Sequence, residues 1–323
     1  MAKATFTPST YAGQAAVPFV APAILSADTI ANGYCSVLEN VRYKTVLRKV
    51  SGGTVGARTC TFDSPASPGM LNIGDVTLTL SELQVNEEIC NHELARTWAA
   101  EQMRGNYAAV PGDYEAFLAA YLATQVSKSI EQNIWQGNYD SANPDTPVAF
   151  TYDLFNGILG QYMAESTKSH DNTIVGAFTA ESPALPAVQT GIADLLAVLV
   201  ADLPAALLGD PDTKIFMSRK SFQLYYQFLA AGSNNPVLAT EMAKFYLGYE
   251  IITPAGFPDD TLVGSRIDNL YFGTNVLTDH TEARFIDLRN TTGADQTRII
   301  MLFDGGTQLV DEASMAVMRR VES

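Results

Sequence analysis

The sequence is short of charged residues. Asp, Glu, Lys and Arg together make up 17% of its 323 residues, against roughly 25% in ordinary soluble proteins. Two explanations fit so low a share: a large internal core beneath a Ser/Thr/Asn-rich surface, or much surface buried between subunits. The charge that is present sums to −15 at pH 7. This acidity argues against gripping nucleic acid through clustered Lys and Arg, which is how proteins neutralise phosphates.

Cysteine pairs and long apolar runs are also missing. Cys35, Cys60 and Cys90 are odd in number and form no C-x-x-C pair, so we expect no disulfide framework and synthesis in a reducing compartment. The best candidate for a membrane span, residues 192–208, contains two aspartates and a proline and falls short of about 20 apolar residues. The apolar run 17–25 has two prolines and does not resemble a secretory signal.

No set of residues typical of an enzyme or a metal site stands out. The sequence has no Gly-x-Ser-x-Gly elbow. The glycine-rich residues 51–56 lack the Gly-Lys-Ser/Thr of a phosphate loop and predict a bend. Cys90, His92 and Glu93 are close in sequence, but no second cluster completes a metal site. We therefore expect no enzymatic activity, no cofactor and no metal.

What the chain does contain, near its start, is a strand-rich ribbon. Residues 41–50, 58–62 and 76–80 predict strands, and the Pro/Gly cluster 64–69 predicts a turn. Residues 1–35 show no helical or alternating period and predict either an extended arm lying on a neighbour or a disordered tail. An isolated ribbon is marginal in water, so we expect neighbouring copies to supply the contacts that hold it.

The strongest periodic pattern is a long amphipathic helix. It follows a strand-like lead-in at residues 83–89 and spans residues 113–136, a rod of about 35 Å. Asp113 is the expected N-cap and Gly137 the expected stop. Its apolar stripe consists of a row at every fourth residue, widened by Phe117 and Tyr121; the row is Tyr114, Leu118, Leu122, Val126, Ile130 and Ile134.

The second half of the chain alternates between helical and strand patterns, which is typical of an α/β domain. The predicted helices are 154–163, 192–199 and 220–231, and the predicted strands are 213–217, 249–252, 261–263, 269–272, 283–288, 298–303, 308–310 and 313–318.

This order of parts resembles the major capsid protein of tailed bacteriophages, the Hong Kong ninety-seven type fold. The more specific likeness lies in the strand 214–219 with its following helix, in the strand 248–252, and in residues 261–264 and 269–274. The resemblance implies an α+β fold whose parts are an N-terminal arm (1–42), an extended β-hairpin or E-loop (43–82), a peripheral (P) domain (83–186) with a spine helix (113–136), an α/β axial (A) domain (187–274) and return strands (275–323).

The same resemblance implies a structural role. Copies would form pentamers and hexamers through A-domain contacts and close an icosahedral shell around double-stranded DNA, without sequence-specific binding. The expected location is the virion, after synthesis in the host bacterial cytoplasm and with no membrane contact. The expected partners are other copies and a portal, with decoration proteins left open. Because the sequence begins almost directly with the arm, a separate scaffolding protein is also expected, with assembly without any scaffold as the alternative.

Three alternatives remain open from the residues alone. An encapsulin-type nanocompartment shares the fold and would need a groove for a cargo peptide. A soluble α/β hydrolase formed by residues 190–310 would need a convergent nucleophile, base and oxyanion donors. A phage tail or adhesion protein would favour repeats or β-rich stalks, which the sequence lacks.

The ribbon carries charge of one sign, because no acidic residue occurs from Arg42 to Arg58. The alternative to a binding patch is a solvated basic strand face. As a patch, it would meet an acidic surface of the adjacent subunit and fix register, while apolar residues near the ribbon tip would dock onto a neighbour. The residues concerned are Arg42, Lys44, Arg48, Lys49 and Arg58 in the basic patch, Glu82, Glu87, Glu88 and Glu93 opposite it, and Phe62, Met70 and Leu71 near the tip.

Some members of the resembled family crosslink their subunits by a Lys–Asn isopeptide bond, which needs a lysine on the E-loop. Between Lys49 and Lys128 the sequence has no lysine, so only Lys44 and Lys49, at the base of the E-loop, remain. We therefore expect assembled protein to migrate as a single band near 34.8 kDa on a denaturing gel. A ladder of covalent multimers would contradict this expectation.

Overall fold

The computed structural model describes residues 9–12, 17–52, 71–90, 113–137, 154–164, 170–175, 191–232, 244–275, 282–288, 292–294 and 296–321. The helices are α1 Val17–Leu25, α2 Asp28–Ala31, α3 Asp113–Gln136, α4 Ile158–Ala164, α5 Ile192–Ala201 and α6 Arg219–Gly232. The strands are β1 Ser9–Ala12, β2 Ser36–Leu38, β3 Lys44–Gly52, β4 Leu71–Thr79, β5 Ser81–Cys90, β6 Asp171–Val175, β7 Thr213–Met217, β8 Phe245–Tyr246, β9 Tyr249–Ile252, β10 Thr261–Arg266, β11 Leu270–Thr274, β12 Glu282–Asp287, β13 Gln296–Leu309 and β14 Met315–Val321.

The first of two large sheets is built around the long strand β13. One edge of β13 pairs antiparallel with β12 and β11, and the other edge pairs antiparallel along the whole of β5. β1 extends the sheet beyond β12, and β2 joins β11 in parallel. Within the described ranges, the outer edge of β5 has no strand beside it.

The second sheet has the order β6-β14-β10-β7-β9-β8 and is covered on both faces. Because successive side chains of a strand point to opposite faces, neighbouring residues enter different cores. Phe216 and Val263 pack into the core shared with α3 and the first sheet, whereas Ile215 and Leu262 pack beneath α5 and α6. Burial on both faces explains why Ile215, Phe216 and Met217 form an unbroken apolar run in β7.

The long helix α3 has the bounds that the sequence predicts. Leu122, Val126, Ile130 and Ile134 of the predicted row are buried. The prediction that Tyr121 widens the stripe is wrong, because this residue is 53% exposed and points away from the core. The side chains of Tyr114, Phe117 and Leu118 lie outside the described part of the chain.

The N-terminal segment differs from the expected extended arm. Residues 17–31 form α1 and α2, and α1 packs against α3 of the same chain. The buried positions Val20, Ala23, Ile24 and Ala27 follow helical spacing. Pro22, inside α1, obscures this pattern, since proline costs a helix about 3 kcal/mol. Burial of the apolar face against α3 outweighs that cost, as tertiary packing commonly does.

The late strands also differ from the prediction. The strands expected at 298–303 and 308–310 are one continuous strand, β13. The pair Gly305-Gly306 predicts a break between two strands, but in the structure these glycines make room for the segment around Leu80. A Cβ on Gly306 would lie 2.5 Å from the carbonyl oxygen of Thr79, so glycine is required for packing and not for a turn.

Gly137 and Gly157 allow the chain to cross itself at the end of α3. The N–H of Gly157 donates to the carbonyl oxygen of Gly137 at 2.8 Å. A Cβ on Gly157 would lie 2.5 Å from the carbonyl oxygen of Asn133, which is closer than real contacts permit. Gly137 therefore ends the helix as expected, but through backbone proximity and not through a left-handed conformation.

We expect Gly157→Ala to lower the free energy of unfolding by about 1–3 kcal/mol, because backbone atoms on both sides must shift. Urea unfolding of the unassembled chain measures the effect. Gly74→Ala is the matched control, since a Cβ at Gly74 would lie 3.9 Å from its nearest neighbour, the carbonyl oxygen of Lys49. Equal stability of the two variants would contradict the close crossing.

Candidate assembly surfaces

The ribbon is a two-stranded hairpin formed by β3 and β4. These strands pair in register from Lys44–Thr79 to Gly52–Leu71 and, within the described ranges, join no other strand. Strand alternation gives the hairpin two different faces. Its inner face is half-buried or buried, at Thr45, Leu47, Lys49, Val76 and Leu78, and its outer face is exposed, at Lys44, Val46, Arg48, Ile73, Asp75, Thr77 and Thr79.

The base of the hairpin is fixed to the first sheet of its own chain. Leu78 is fully buried and fills the space above Gly273, where a Cβ would lie 2.6 Å from its Cδ2. The ammonium of Lys49 forms an ion pair with the carboxylate of Asp311. Burial by itself would raise the pKa of Asp311, but hydrogen bonds from Lys49 and Ser314 outweigh it and hold that pKa below its ordinary value.

The outer face carries large apolar side chains that nothing in the described part of this chain covers. Val46 is 55% exposed and Ile73 is 60% exposed, and Tyr43, just before β3, is 66% exposed. Lys44 and Arg48 lie on the same face and have no ion pair with a described residue. The outer face thus combines exposed apolar side chains with two basic residues and one acidic residue, Asp75, which lies opposite Arg48; exposed apolar groups of this kind are typical of an interface.

The structure separates the residues of the predicted basic patch. Lys44 and Arg48 point outward, whereas Lys49 is engaged with Asp311. Arg42 is exposed and lines a cavity of 220 Å³ that also contains Glu82 and Asp304. Four predicted contact residues lie outside the described part of the chain, and Leu71 is described only in its backbone; the four are Arg58, Phe62, Met70 and Glu93.

The predicted acidic residues lie along the free-edged strand β5, but on two faces. Glu82 and Glu88 share the exposed face, and Arg298 Nε donates to Glu88 Oε1 at 2.8 Å. Glu87 lies on the opposite face and lines a groove of 430 Å³ between β5 and α3, together with Val126 and Ser129. Their charges are therefore not equivalent: Glu88 has a partner within the chain, and Glu87 faces the groove.

A buried carboxylate that the sequence did not single out joins three segments of the fold. Glu131 of α3 is only 3% exposed. Its Oε2 accepts from the N–H of Thr29 at 2.8 Å, and its Oε1 accepts from the Thr29 hydroxyl at 2.6 Å and from the N–H of Gly256 at 3.3 Å. Trp135 Nε1 donates to Thr29 Oγ1 at 2.8 Å. The cluster links α2, α3 and the β9–β10 loop.

Burial is the main influence on Glu131 and raises the pKa of its carboxyl, although the hydrogen bonds from Thr29 and Gly256 oppose the rise. The same environment raises the pKa of the buried Cys35 thiol to about 12, so this cysteine stays protonated. Sequence reasoning missed the cluster because a lone glutamate on a long helix has the pattern of a solvated face.

The described residues contain no group of three or more His, Cys, Asp or Glu side chains arranged to hold a metal ion. None of the helices in those ranges is both long and apolar enough to cross a membrane.

We expect Glu131→Gln to destabilise the subunit by about 1–3 kcal/mol at pH 7, because an amide group would then face backbone and hydroxyl donors. The effect also depends on pH. A carboxyl whose pKa is higher in the folded state than in the unfolded state binds its proton more tightly when folded. Its contribution is therefore fully present below the ordinary value of 4.5 and is lost as pH rises through the raised folded pKa.

Chemical unfolding of both proteins between pH 4.5 and pH 7 measures this dependence, and the stability difference between them isolates Glu131. Wild type should gain stability relative to Glu131→Gln as pH falls. Glu39→Gln, at an exposed position, is the control and should leave the profile unchanged. Parallel profiles for wild type and Glu131→Gln would contradict the role assigned to this carboxyl.

Comparison with known sequences gives no match, either to a protein-family model or to a curated protein. Solved structures do match. A chain from the procapsid of satellite phage P4, in a structure that includes the size determination (Sid) protein, superposes with a TM-score of 0.63 at 12% identity, over 99% of this chain and 94% of the other.

Two further structures agree. A chain from the capsid of a native GTA particle, computed with C5 symmetry, gives a TM-score of 0.55 at 15% identity, over 93% of this chain and 90% of the other. A chain from Mycobacterium phage Bobi gives 0.53 at 15% identity, over 92% and 91%. Likeness at such low identity establishes the fold and not the activity. This chain has the fold of a tailed-phage capsid protein.

Proposed function

We propose that this protein is the major capsid protein of a tailed phage. Many copies would assemble as pentamers and hexamers into an icosahedral shell that encloses double-stranded DNA, and the protein would reside in the virion. The observation that carries the proposal is the end-to-end likeness to a chain of the P4 procapsid, which covers 99% of this chain. Such coverage includes the β3–β4 hairpin as well as the two sheets, so it concerns the whole architecture.

The hairpin supports self-association. Its outer face exposes Tyr43, Val46 and Ile73, and fully burying a side chain of this size contributes about 1.5–3 kcal/mol. A neighbouring copy that covers this face would recover free energy that the isolated subunit does not have. Repetition of the same contact around a closed shell then multiplies a modest gain.

The charged residues indicate which surface of a neighbouring copy would contact the hairpin. Lys44 and Arg48 point outward from the hairpin, while Glu82 and Glu87 lie on β5 without an ion pair among the described residues. We propose that the outer face of one hairpin lies over the β5 side of an adjacent copy. In a chain of net charge −15, such local basic residues would select the partner and the register more than they add affinity.

The acidity of the chain affects how the proposed shell would interact with the DNA inside it. A wall with a net charge of −15 per subunit does not adhere to phosphates, so packaged DNA would remain free to move in and out. A portal and a separate scaffolding protein would be the expected partners of assembly. The structures named above are chains of phage and GTA capsids and do not favour the nanocompartment or hydrolase alternatives.

The proposal is tested by expressing the full chain, with and without the proteins encoded beside it, and viewing the product by electron microscopy and sedimentation. Closed particles are expected. The double variant Lys44→Glu/Arg48→Glu should reduce particle yield by at least about tenfold, since like charges would then face each other across each contact.

Lys49→Gln is the matched control on the inner face of the same hairpin. It removes the ion pair with Asp311 and should lower subunit stability while particles still form. Sedimentation of the wild-type chain only as a 34.8 kDa species under every condition would overturn the proposed function. Normal particle yield from the double variant would overturn the hairpin contact alone.

A further inference from the structure

The sequence contains two Asn-Gly pairs, Asn32-Gly33 and Asn156-Gly157. In such a pair the backbone nitrogen of the glycine can attack the side-chain amide carbon of the asparagine. A new C–N bond closes a succinimide ring, the bond to the amide nitrogen breaks, and that nitrogen leaves as ammonia with the proton of the glycine N–H. Water then opens the ring and leaves aspartate or isoaspartate. Glycine favours this deamidation because it has no side chain to obstruct the ring.

The first pair has the room that the reaction needs. Asn32 and Gly33 are both exposed, at the C-terminal end of α2. Ring closure requires rotation about the Cα–C bond of the asparagine, and a Cβ on Gly33, which has a φ of 68°, would meet nothing within 4 Å. The rotation breaks the hydrogen bond from the Gly33 N–H to the carbonyl oxygen of Ile30 at 3.1 Å. That bond lies at the end of a four-residue helix, where local opening costs little.

The second pair is held fast by the backbone crossing at the end of α3. Gly157 is buried, and its N–H donates to the carbonyl oxygen of Gly137 at 2.8 Å. A Cβ on Gly157 would lie 2.5 Å from the carbonyl oxygen of Asn133. Rotation at Asn156 would therefore drive the glycine into neighbouring backbone, so reaction there must wait until this part of the core opens. The chain thus contains a protected Asn-Gly pair to compare with the accessible one.

Deamidation at the first pair would place two carboxylates against each other. Asn32 Nδ2 donates to the carbonyl oxygen of Asp28 at 2.9 Å and to Asp28 Oδ1 at 2.8 Å. Both bonds are exposed and oppose the reaction only weakly. The product has an acceptor in place of this donor, so it repels Asp28. Asp28 Oδ2 accepts from the N–H of Ala255 at 2.9 Å and from Arg219 Nη2 at 3.3 Å. The repulsion therefore acts on the carboxylate that holds α2 to the β9–β10 loop.

We propose that Asn32 is a site of spontaneous deamidation in the folded subunit, and that the carboxylate formed there loosens α2 from the β9–β10 loop. Thr29, which follows Asp28 in α2, is a partner of the buried Glu131, so the loosening reaches the cluster on α3. Asn156, in the same chain, keeps its amide. The reaction needs water and no second copy, so it takes place whether or not the chain forms shells.

The first test keeps the folded full-length protein at mildly alkaline pH, which favours loss of the glycine N–H proton, and follows both sites by peptide mass spectrometry. Conversion at Asn32 should be at least about tenfold faster than at Asn156, because the second site must wait for the core to open. In the chain unfolded by guanidinium chloride, the control, the two rates should agree within about twofold. Equal rates in the folded protein, or conversion at Asn32 only after unfolding, would overturn the assignment of this site.

The second test uses Asn32→Asp, which reproduces one product of the reaction. Amide hydrogen exchange at Thr29 and Ala255 should become at least about fivefold faster, because both N–H groups depend on the position of α2. Asn32→Ala is the matched control: it removes the same two hydrogen bonds without adding a charge, and exchange should stay within about twofold of wild type. Equal exchange rates in the two variants would overturn the loosening by repulsion and leave the deamidation site standing.

Discussion

The whole arrangement depends on how the C-terminal half of α3 is held. Trp135 lies between Phe216 of the second sheet and Phe257 of the β9–β10 loop, with ring centroids 5.1 Å and 4.9 Å away. One turn earlier, Glu131 binds Thr29 of the N-terminal helices and Gly256 of that loop. Apolar packing and a buried polar cluster therefore act at one place, and they fix the second sheet and the N-terminal segment relative to α3.

Sequence patterns predicted the parts of the fold whose burial is regular. These are the one-sided apolar stripe of α3 and the short apolar runs of the second sheet, which is buried on both faces. The sequence did not predict the N-terminal helices, because Pro22 disfavours a helix locally. The burial of Val20 and Ile24 against α3 contributes more free energy than the proline costs. Gly305 and Gly306 led to the opposite error, the prediction of a break where the structure has a continuous strand. Their lack of a side chain makes room for a neighbouring segment and does not form a turn.

The candidate surfaces could also be predicted only in part. The run of basic residues in the ribbon is visible in the sequence, but the assignment of these residues to the two faces of the hairpin is not. The sequence does not give the register that places Lys49 beside Asp311 and turns Lys44 and Arg48 outward. Likewise, the three glutamates of β5 appear as one acidic group until the pairing with β13 assigns them to two faces. The positive φ of Leu247 is seen in the backbone angles and cannot be predicted from the composition of the sequence.

The unpaired edge of β5 has a consequence for the life of a newly made subunit. A ten-residue strand with one row of backbone donors and acceptors unclaimed by another described strand is a template for any extended chain nearby. At high protein concentration, pairing of this edge with unrelated extended chains competes with the native contacts. The rate at which the edge becomes covered, relative to the rate of translation, therefore decides how much of the newly made protein is lost to aggregation.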